Sequence, residues 1–228
     1  MTKPTIILLF FIAVTNGYCQ GTYFRTGKNY TKYKFKSTTE TTNIDFQIGT
    51  GTTFEIGYLK TFKNKKFGYN ISLTLDEYNS TANSDLNSYN WKTEYIGIKN
   101  SFQFNIIETT YFDIDTKIGL NIDTILYGKQ KTNSLLFDLT KEKEFSGLVL
   151  VPFIGIQVKS KLSQYGYLSF GYNYSTGINV SNSSDEKLSF YTKQIQFGIH
   201  LKVNKKIIEK VNEKVNEESN EMSYEKEY

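Results

Sequence analysis

A small set of ionisable side chains could carry chemistry. His200 is the only histidine, so a general base of the common imidazole type would have to be this residue. Five carboxylates recur on alternating positions, which puts those of each strand on one face. They are Asp113, Asp115, Asp123, Glu55 and Asp76. Acid and base work by these groups needs a substrate that reaches them. Ion pairing is the competing interpretation, and its basic partners would be Arg25, Lys99, Lys117 and Lys202.

Other chemistry lacks a sequence basis. Cys19 is the only cysteine, so no disulfide or zinc-thiolate site can form within one chain. The sequence has no Gly-rich phosphate loop, no His/Cys cluster and no GxSxG turn. The net charge is +4 and the basic residues are scattered, which argues against nucleic-acid binding. We therefore predict no catalytic residue, no metal and no cofactor.

The element that positions His200 is an alternating stretch at 190–204. Its polar side includes Gln194, Gln196 and His200, and its apolar side includes Ile195 and Phe197. A period of two predicts a strand with one apolar and one polar face. His200 then lies on the polar face, close to the end of the strand.

Eight such strands are predicted along the chain. Their bounds are 22–35, 52–62, 67–79, 91–106, 110–123, 147–161, 166–178 and 189–203. Short connections at 63–66, 107–109 and 162–165 alternate with long ones at 36–51, 80–90, 124–146 and 179–188. Short turns on one side and long loops on the other are typical of transmembrane barrels. The pattern predicts an all-β fold, an eight-stranded antiparallel up-and-down barrel that crosses a membrane.

The polar faces of these strands would then line a narrow lumen. We expect a polar network there, built from Asp113, Asp115, Lys117, Lys99 and His200. Aromatic residues next to the short turns indicate an interfacial girdle. They are Phe62, Phe67, Tyr111, Phe112, Tyr165 and Tyr167.

Two strands fit the pattern poorly. The first alternates weakly and carries four basic residues. The sixth is apolar on both faces over several residues and contains Pro152. Because proline cannot donate to the ladder, we expect a bulge at this position.

The ends of the chain differ in composition from the barrel. Residues 1–19 have a basic start, an apolar core and a small residue before Gln20, which predicts a cleaved signal peptide; lipoprotein processing at Cys19 is the alternative. Residues 20–204 form the barrel. Residues 205–228 predict a charged periplasmic tail, disordered or weakly helical.

One predicted outer loop is unusually apolar. Leu135, Leu136, Phe137 and Leu139 lie close together within 124–146. Such a patch beyond the membrane indicates a partner-binding surface. A strand that extends above the bilayer, or a loop that folds over the barrel mouth, would explain it equally well.

The last strand resembles the assembly signal of bacterial outer-membrane barrels. Gly198, Leu201 and Val203 occupy the glycine and apolar positions of that signal. The barrel region as a whole resembles the small outer-membrane β-barrel proteins of the Bacteroidetes type. The resemblance implies the cell outer membrane as location, contact with outer-membrane lipid and the barrel-assembly machinery, and a monomer. It implies a non-enzymatic role, structural or through surface partners at the extracellular loops.

Other functions remain open at this stage. The apolar faces could turn inward, as in a secreted lipocalin-like carrier of an apolar ligand. Some small outer-membrane barrels modify lipid A with a His, a Ser and an acid near the extracellular rim, whereas His200 is expected at the periplasmic end. A narrow channel is the third alternative.

Overall fold

The computed structural model describes residues 21–36, 45–62, 66–83, 88–133, 135–163, 166–180 and 187–202. The predicted signal peptide, Val203 and the predicted tail lie outside these residues. Within the described ranges, no helix is long and apolar enough to cross a membrane.

Ten strands form one antiparallel sheet in this part of the chain. They are β1 (Gly21–Lys36), β2 (Asp45–Thr61), β3 (Phe67–Glu77), β4 (Ser80–Asn83), β5 (Ser88–Glu108), β6 (Phe112–Thr132), β7 (Leu135–Asp138), β8 (Leu148–Ser163), β9 (Gly166–Asn179) and β10 (Lys187–Leu201). Since β3 and β4 both pair with β2 and β5, they are two parts of one crossing strand. β7 pairs with β6 above the point where β8 begins. The predicted eight crossing strands are thereby confirmed.

The sheet closes on itself because β1 pairs with both β2 and β10. Register partners followed once around the ring from Gly21 return to β1 at Thr31. This stagger of ten residues over eight strands gives a tilt of about 40–45° and a lumen that side chains can fill.

The strands are longer than predicted at the extracellular end. β2 begins at Asp45 and β6 continues to Thr132, both inside segments expected to be loops. The 80–90 connection contains β4 and the start of β5. Strict alternation of long and short loops is therefore wrong for the second outer connection, where only 84–87 lies between strands. Hydrogen bonding between neighbouring strands does not depend on a membrane, so the strands continue beyond the apolar band.

The apolar face points outward. Exposed apolar side chains cover the outer surface on every crossing strand, including Phe54, Leu73, Ile98, Ile118, Ile154, Phe170 and Phe197. The alternate positions are polar and buried, including Arg25, Glu55, Asn70, Lys99, Asp115, Gln157 and Gln194. β1 follows the same alternation, with polar and aromatic residues inside. A lipocalin-like carrier needs the opposite orientation, so that interpretation is wrong.

The position of β8 explains why both of its faces are apolar. Val149, Val151 and Phe153 point inward and are buried, while Ile154 and Ile156 point outward. The predicted bulge at Pro152 is wrong. Pro152 stays in register with Leu120 of β6, and β8 keeps one register with β9 on both sides of the proline. The ladder to β9 is interrupted there without an extra residue.

Four of the six predicted girdle residues lie exposed at the periplasmic turns. They are Phe62, Phe67, Tyr111 and Phe112. Tyr165 lies outside the described residues. The prediction that Tyr167 belongs to the girdle is wrong, because this residue lines a cavity in the periplasmic mouth.

Closure at the seam between β1 and β10 predicts a difference between two glycine variants. A Cβ at Gly27 would collide with the Ile195 carbonyl oxygen on β10, and overpacking of this kind costs about 1–3 kcal/mol. At Gly171 the nearest atom is 3.6 Å from the added Cβ. We expect Gly27→Ala to lower the temperature at which the fast-migrating folded band is lost on detergent gels, and Gly171→Ala to leave it unchanged. Equal melting of the two variants would contradict tight closure at this seam.

Candidate functional site in the lumen

The lumen has three levels. An open polar cavity lies at the periplasmic end, a hydrogen-bonded polar network fills the middle, and an aromatic cluster lies at the extracellular end. Each level draws on inward positions of several strands. The lumen is therefore the place where the chain brings its ionisable residues together.

Glu55 is the centre of the middle level. Its Oε1 accepts hydrogen bonds from Arg25 Nη1 at 2.8 Å, Tyr23 Oη at 3.0 Å and Ser72 Oγ at 3.1 Å. Its Oε2 accepts from Lys99 Nζ at 3.2 Å and from Gln196 Nε2 at 3.1 Å. Two cations and three neutral donors thus surround one buried carboxylate, which offsets the several kcal/mol that each buried charge costs alone.

Gln194 organises the layer above. Its Nε2 donates to Asn29 Oδ1 at 3.0 Å and Asp76 Oδ1 at 3.2 Å. Its Oε1 accepts from Asn173 Nδ2 at 2.8 Å. One amide therefore connects four crossing strands, β10 with β1, β3 and β9, through buried hydrogen bonds.

The five predicted carboxylates all lie inside, but their pairing differs from the prediction. Asp115 Oδ2 lies 2.8 Å from Lys159 Nζ, and Asp113 Oδ1 lies 3.7 Å from Lys161 Nζ. Of the predicted bases, Arg25 and Lys99 pair with Glu55.

The other two predicted bases do not form ion pairs with described residues. Lys117 is buried, yet no described carboxylate lies within 4.0 Å of its Nζ. Lys202 is exposed, and its Nζ lies 4.7 Å from the centre of the Tyr167 ring. The register of the strands decides whether the side chains of Lys117 and Lys202 meet a carboxylate, because ion pairs in a barrel form between neighbouring strands rather than between residues close in sequence.

The periplasmic mouth holds a cavity of about 580 Å³. Its lining includes Asn105, Asp113, Asp115, Lys159, Tyr167 and His200. Over the described residues, no group of His, Cys, Asp and Glu side chains is arranged to hold a metal ion. The cavity is thus a charged, water-accessible vestibule.

His200 faces the lumen near the periplasmic end, as predicted. Its Nε2 lies 3.0 Å from both Ser169 Oγ and Gln157 Nε2, and Tyr23 stacks on its ring at 5.1 Å. A nucleophile and base pair needs a third group to orient the imidazole. Nδ1 of His200 has no hydrogen-bond partner among the described residues. The geometry supplies a buried hydrogen-bonding side chain rather than a triad.

Gly198 has a local reason to be glycine. A Cβ there would lie 2.5 Å from Arg25 Cγ and 2.8 Å from the Phe24 carbonyl oxygen. Its absence leaves room for the stem of Arg25, which is the register partner of Gly198 on β1. Of the other predicted assembly positions, Leu201 is exposed on the outer face and Val203 lies outside the described residues.

An aromatic cluster closes the extracellular end, and we call it the cap. Its buried members are Tyr33, Tyr78, Ala82, Trp91, Tyr95, Leu139, Phe145, Val149, Val151 and Phe190. Tyr33 is central. Its ring centre lies 5.9 Å from that of Phe145 and 5.6 Å from that of Phe190, and its hydroxyl donates to the Tyr78 carbonyl oxygen at 2.9 Å.

Part of the predicted loop surface belongs to the cap. Leu139 is only 2% exposed, so its prediction as a partner-binding residue is wrong. Asn179 Nδ2 fixes the following segment by donating to the carbonyl oxygens of Glu144 at 3.0 Å and Ser146 at 2.8 Å. The loop therefore folds over the mouth, which was one of the alternatives.

The remaining apolar residues of that segment form β7. Leu135, Leu136 and Phe137 are 65%, 67% and 47% exposed. At the end of β7, the Thr140 hydroxyl and backbone N–H donate to Asp138 Oδ1 at 2.7 and 2.9 Å and hold the pKa of that carboxyl below its usual value. A strand that extends above the bilayer is the other predicted alternative. The segment therefore contains both, a strand above the bilayer at β7 and a loop that folds over the mouth after it.

Sequence reasoning missed the cap and Gln194. Alternation marks Gln194 as inward but does not give its partners, which lie far away in sequence. The two apolar faces of β8 were the available indication of the cap.

Comparison with known proteins supports the fold. The outer membrane protein OprG from Pseudomonas aeruginosa has a similar structure, with a TM-score of 0.53 and 11% identity over 82% of this chain and 97% of that chain. The Neisserial surface protein A (NspA) has a TM-score of 0.49 and 12% identity over 80% and 97%. No protein-family model matches the sequence, and no curated protein does so. The fold is that of an eight-stranded bacterial outer-membrane barrel, and the outward apolar band fits the hydrocarbon layer of a membrane.

Removal of the Glu55 carboxylate tests the middle level. Glu55→Ala leaves Arg25 and Lys99 buried without a counter-ion, and we expect a loss of about 3–5 kcal/mol in the free energy of unfolding. Glu108→Ala, at the exposed end of β5, is the control. Urea titration of the refolded barrel in lipid vesicles measures both. Unfolding of both variants at the same urea concentration would show that Glu55 does not stabilise the lumen.

Cysteine labelling tests which end of the lumen is open. In a Cys19→Ser background, Asn105→Cys in the vestibule should react with a small charged thiol reagent in the folded barrel. Thr93→Cys, buried beside Tyr33 in the cap, should react only after unfolding. Equal labelling of both positions in the folded state would mean that the cap admits water.

Proposed function

We propose that this chain is an integral outer-membrane protein that acts through its extracellular end, without catalysing a reaction and without conducting solutes. The observation that carries the proposal is the cap. It fills the mouth where a solute would enter or leave, and it is joined to strands that rise above the apolar band.

Conduction is disfavoured by two successive obstructions. Below the cap, Gln194 and Glu55 join side chains from several strands across the lumen. Water and ions need a continuous polar path, and the buried aromatic rings at the extracellular end do not offer one. The vestibule opens to the periplasm, which is consistent with a lumen that is blocked only further toward the extracellular end.

Catalysis on lipid A is disfavoured by position. His200 and Ser169 lie at the periplasmic end of the lumen, and both are buried. Lipid A lies in the outer leaflet, at the opposite end of the barrel. No acid orients the imidazole among the described residues.

The surface that supports an interaction role is β7. It pairs with β6 along one edge, and no strand pairs with its other edge in the described part of the chain. Three consecutive apolar side chains are exposed on it. An open edge with apolar side chains favours addition of a strand from a partner protein.

Assembly and context complete the proposal. The last strand would be handed to the barrel-assembly machinery through the signal that contains Gly198, Leu201 and Val203. The barrel would insert into outer-membrane lipid as a monomer, and the chain would belong to the small barrels of the Bacteroidetes type. The pattern of the sequence supports these points.

Polar substitution of β7 tests the interaction role. We expect Leu135→Ser, Leu136→Ser and Phe137→Ser together to reduce adhesion of barrel-displaying cells to polystyrene and to one another several-fold, because the apolar edge is lost. Leu139→Ala is the matched control. It truncates a buried cap residue and should lower stability by about 2–5 kcal/mol while adhesion is retained.

The folded band on detergent gels must persist in both variants. Unchanged adhesion of a correctly assembled triple variant would exclude β7 as the interaction surface.

A further inference from the structure

The outward face of the seam between β1 and β10 carries lysines next to aromatic and aliphatic side chains. Lys28 and Lys32 of β1 and Lys193 of β10 are all exposed. Tyr30 lies directly opposite Lys193 in the register, so Lys28 and Lys32 flank this pair on the same face. We call these three residues the lysine triangle.

The spacing suits one small anion. Residues two apart on a strand lie about 6.5–7 Å apart, and diagonal cross-strand neighbours about 7–8 Å. Lys193 is a diagonal neighbour of both Lys28 and Lys32, which lie four residues apart on β1, or about 13 Å. Lysine stems are long and flexible, so the three ammonium groups can converge on one phosphate between them. The Tyr30 hydroxyl, between them, adds a hydrogen-bond donor.

The two flanking strands carry no outward acid along the triangle. The outward residues of β2 from Thr50 to Lys60 and those of β9 include no carboxylate. None of the three lysines forms an ion pair with a described residue. Glu77 of β3 is the nearest acid: its Oε2 accepts the backbone N–H of Thr52, the register partner of Lys28, at 2.8 Å. One carboxylate does not balance three lysines, and an anion would lessen the repulsion that remains between like charges.

The height of the triangle places it in the outer leaflet. Seven residues separate Gly21 from Lys28 on β1, which corresponds to about 17 Å along the barrel axis at 3.3 Å per residue and a tilt of about 40–45°. The apolar band of such barrels is about 25 Å tall. With the lower edge of the band taken at Gly21, Lys28 and Lys193 lie about 6–8 Å below the upper edge, a distance that a lysine stem can span to reach the headgroups, and Lys32 lies at the edge. Lys34 is exposed above, and the backbone register places Lys36 opposite Lys187.

We propose that the lysine triangle binds a phosphate group of a phosphorylated glycolipid of the outer leaflet, such as lipid A. Directly below the triangle, the same outer face presents Phe24, Ile195, Phe197 and Tyr172, which can contact acyl chains. A soluble polyanion would not contact these apolar side chains. A basic surface that continues into an apolar one therefore fits a lipid better. The cations oppose the headgroup while the acyl chains run down the barrel wall.

A lipid competition experiment tests the proposal on the full mature chain. The barrel is reconstituted in nanodiscs of phosphatidylcholine with a minor fraction of lipid A or of the same lipid A with its phosphates removed. Native mass spectrometry then counts lipids that stay bound after the nanodisc is released. We expect phosphorylated lipid A to be retained preferentially by the unmodified barrel. Lys28→Gln, Lys32→Gln and Lys193→Gln together should reduce this preference by about 100-fold, the loss expected for three lysines beside an anionic surface.

A matched control separates the triangle from charge in general. Lys92→Gln, Lys129→Gln and Lys131→Gln remove the same charge from exposed positions on β5 and β6, above the apolar band. These changes should leave the preference unaltered. Replacement of the triangle by three arginines should retain it, provided that the folded gel band is present in every variant.

Three results would overturn the proposal. Equal retention of the two lipids by the unmodified barrel would show that acyl chains alone are recognised. An equal loss in the triangle and control variants would show that only net charge matters. Displacement of lipid A by an equal phosphate concentration of inorganic phosphate would show that the surface is not specific for lipid.

Discussion

Pairing between the first and last strands is the constraint on which the rest of the structure depends. A hydrocarbon interior offers no partner for backbone N–H and C=O groups, so a sheet can cross a membrane only as a closed ring. β1 and β10 supply that closure along the whole length of β1 above Gly21. The ten-residue stagger follows from the register, and it sets a lumen too narrow to stay empty. Filling that lumen is the second requirement of the fold.

The filling accounts for residue choices that would be costly elsewhere. Inward glycines face large side chains, so that Tyr23 passes over Gly57 and Phe190 over Gly177. Charged residues occur in crossing strands because Arg25 and Lys99 pair with Glu55 inside. On the outer face the same charges would meet lipid, which explains why the seam lysines are confined to the upper third of the apolar band and to the wall above it.

The sequence predicts the parts of the fold that depend on alternation. Strand number, the inward face of each strand and the place of His200 follow from a period of two along single segments. The strand lengths above the membrane do not, because the alternation inverts there: Trp91 is buried inside, and its neighbours Asn90 and Lys92 are exposed outside. Specific partners such as Glu55 with Arg25 require a register, and a register depends on all neighbouring strands at once. The predicted bulge at Pro152 is wrong because a strand can lose hydrogen bonds to one neighbouring strand and still keep its register.

The two ends of the lumen suggest why the extracellular part is built from strands rather than free loops. Cap residues from β1, β5 and β10 and from the segment after β7 pack together, so the wall above the membrane is supported from inside. A surface held in this way loses little conformational freedom when a partner binds, which favours affinity for a given contact area. Truncation of a buried cap residue would then weaken the barrel, whereas change of an exposed β7 residue would alter recognition alone. The cap thus links the closed lumen to the proposed extracellular role, since the side chains that close the mouth also support the strands that rise above it.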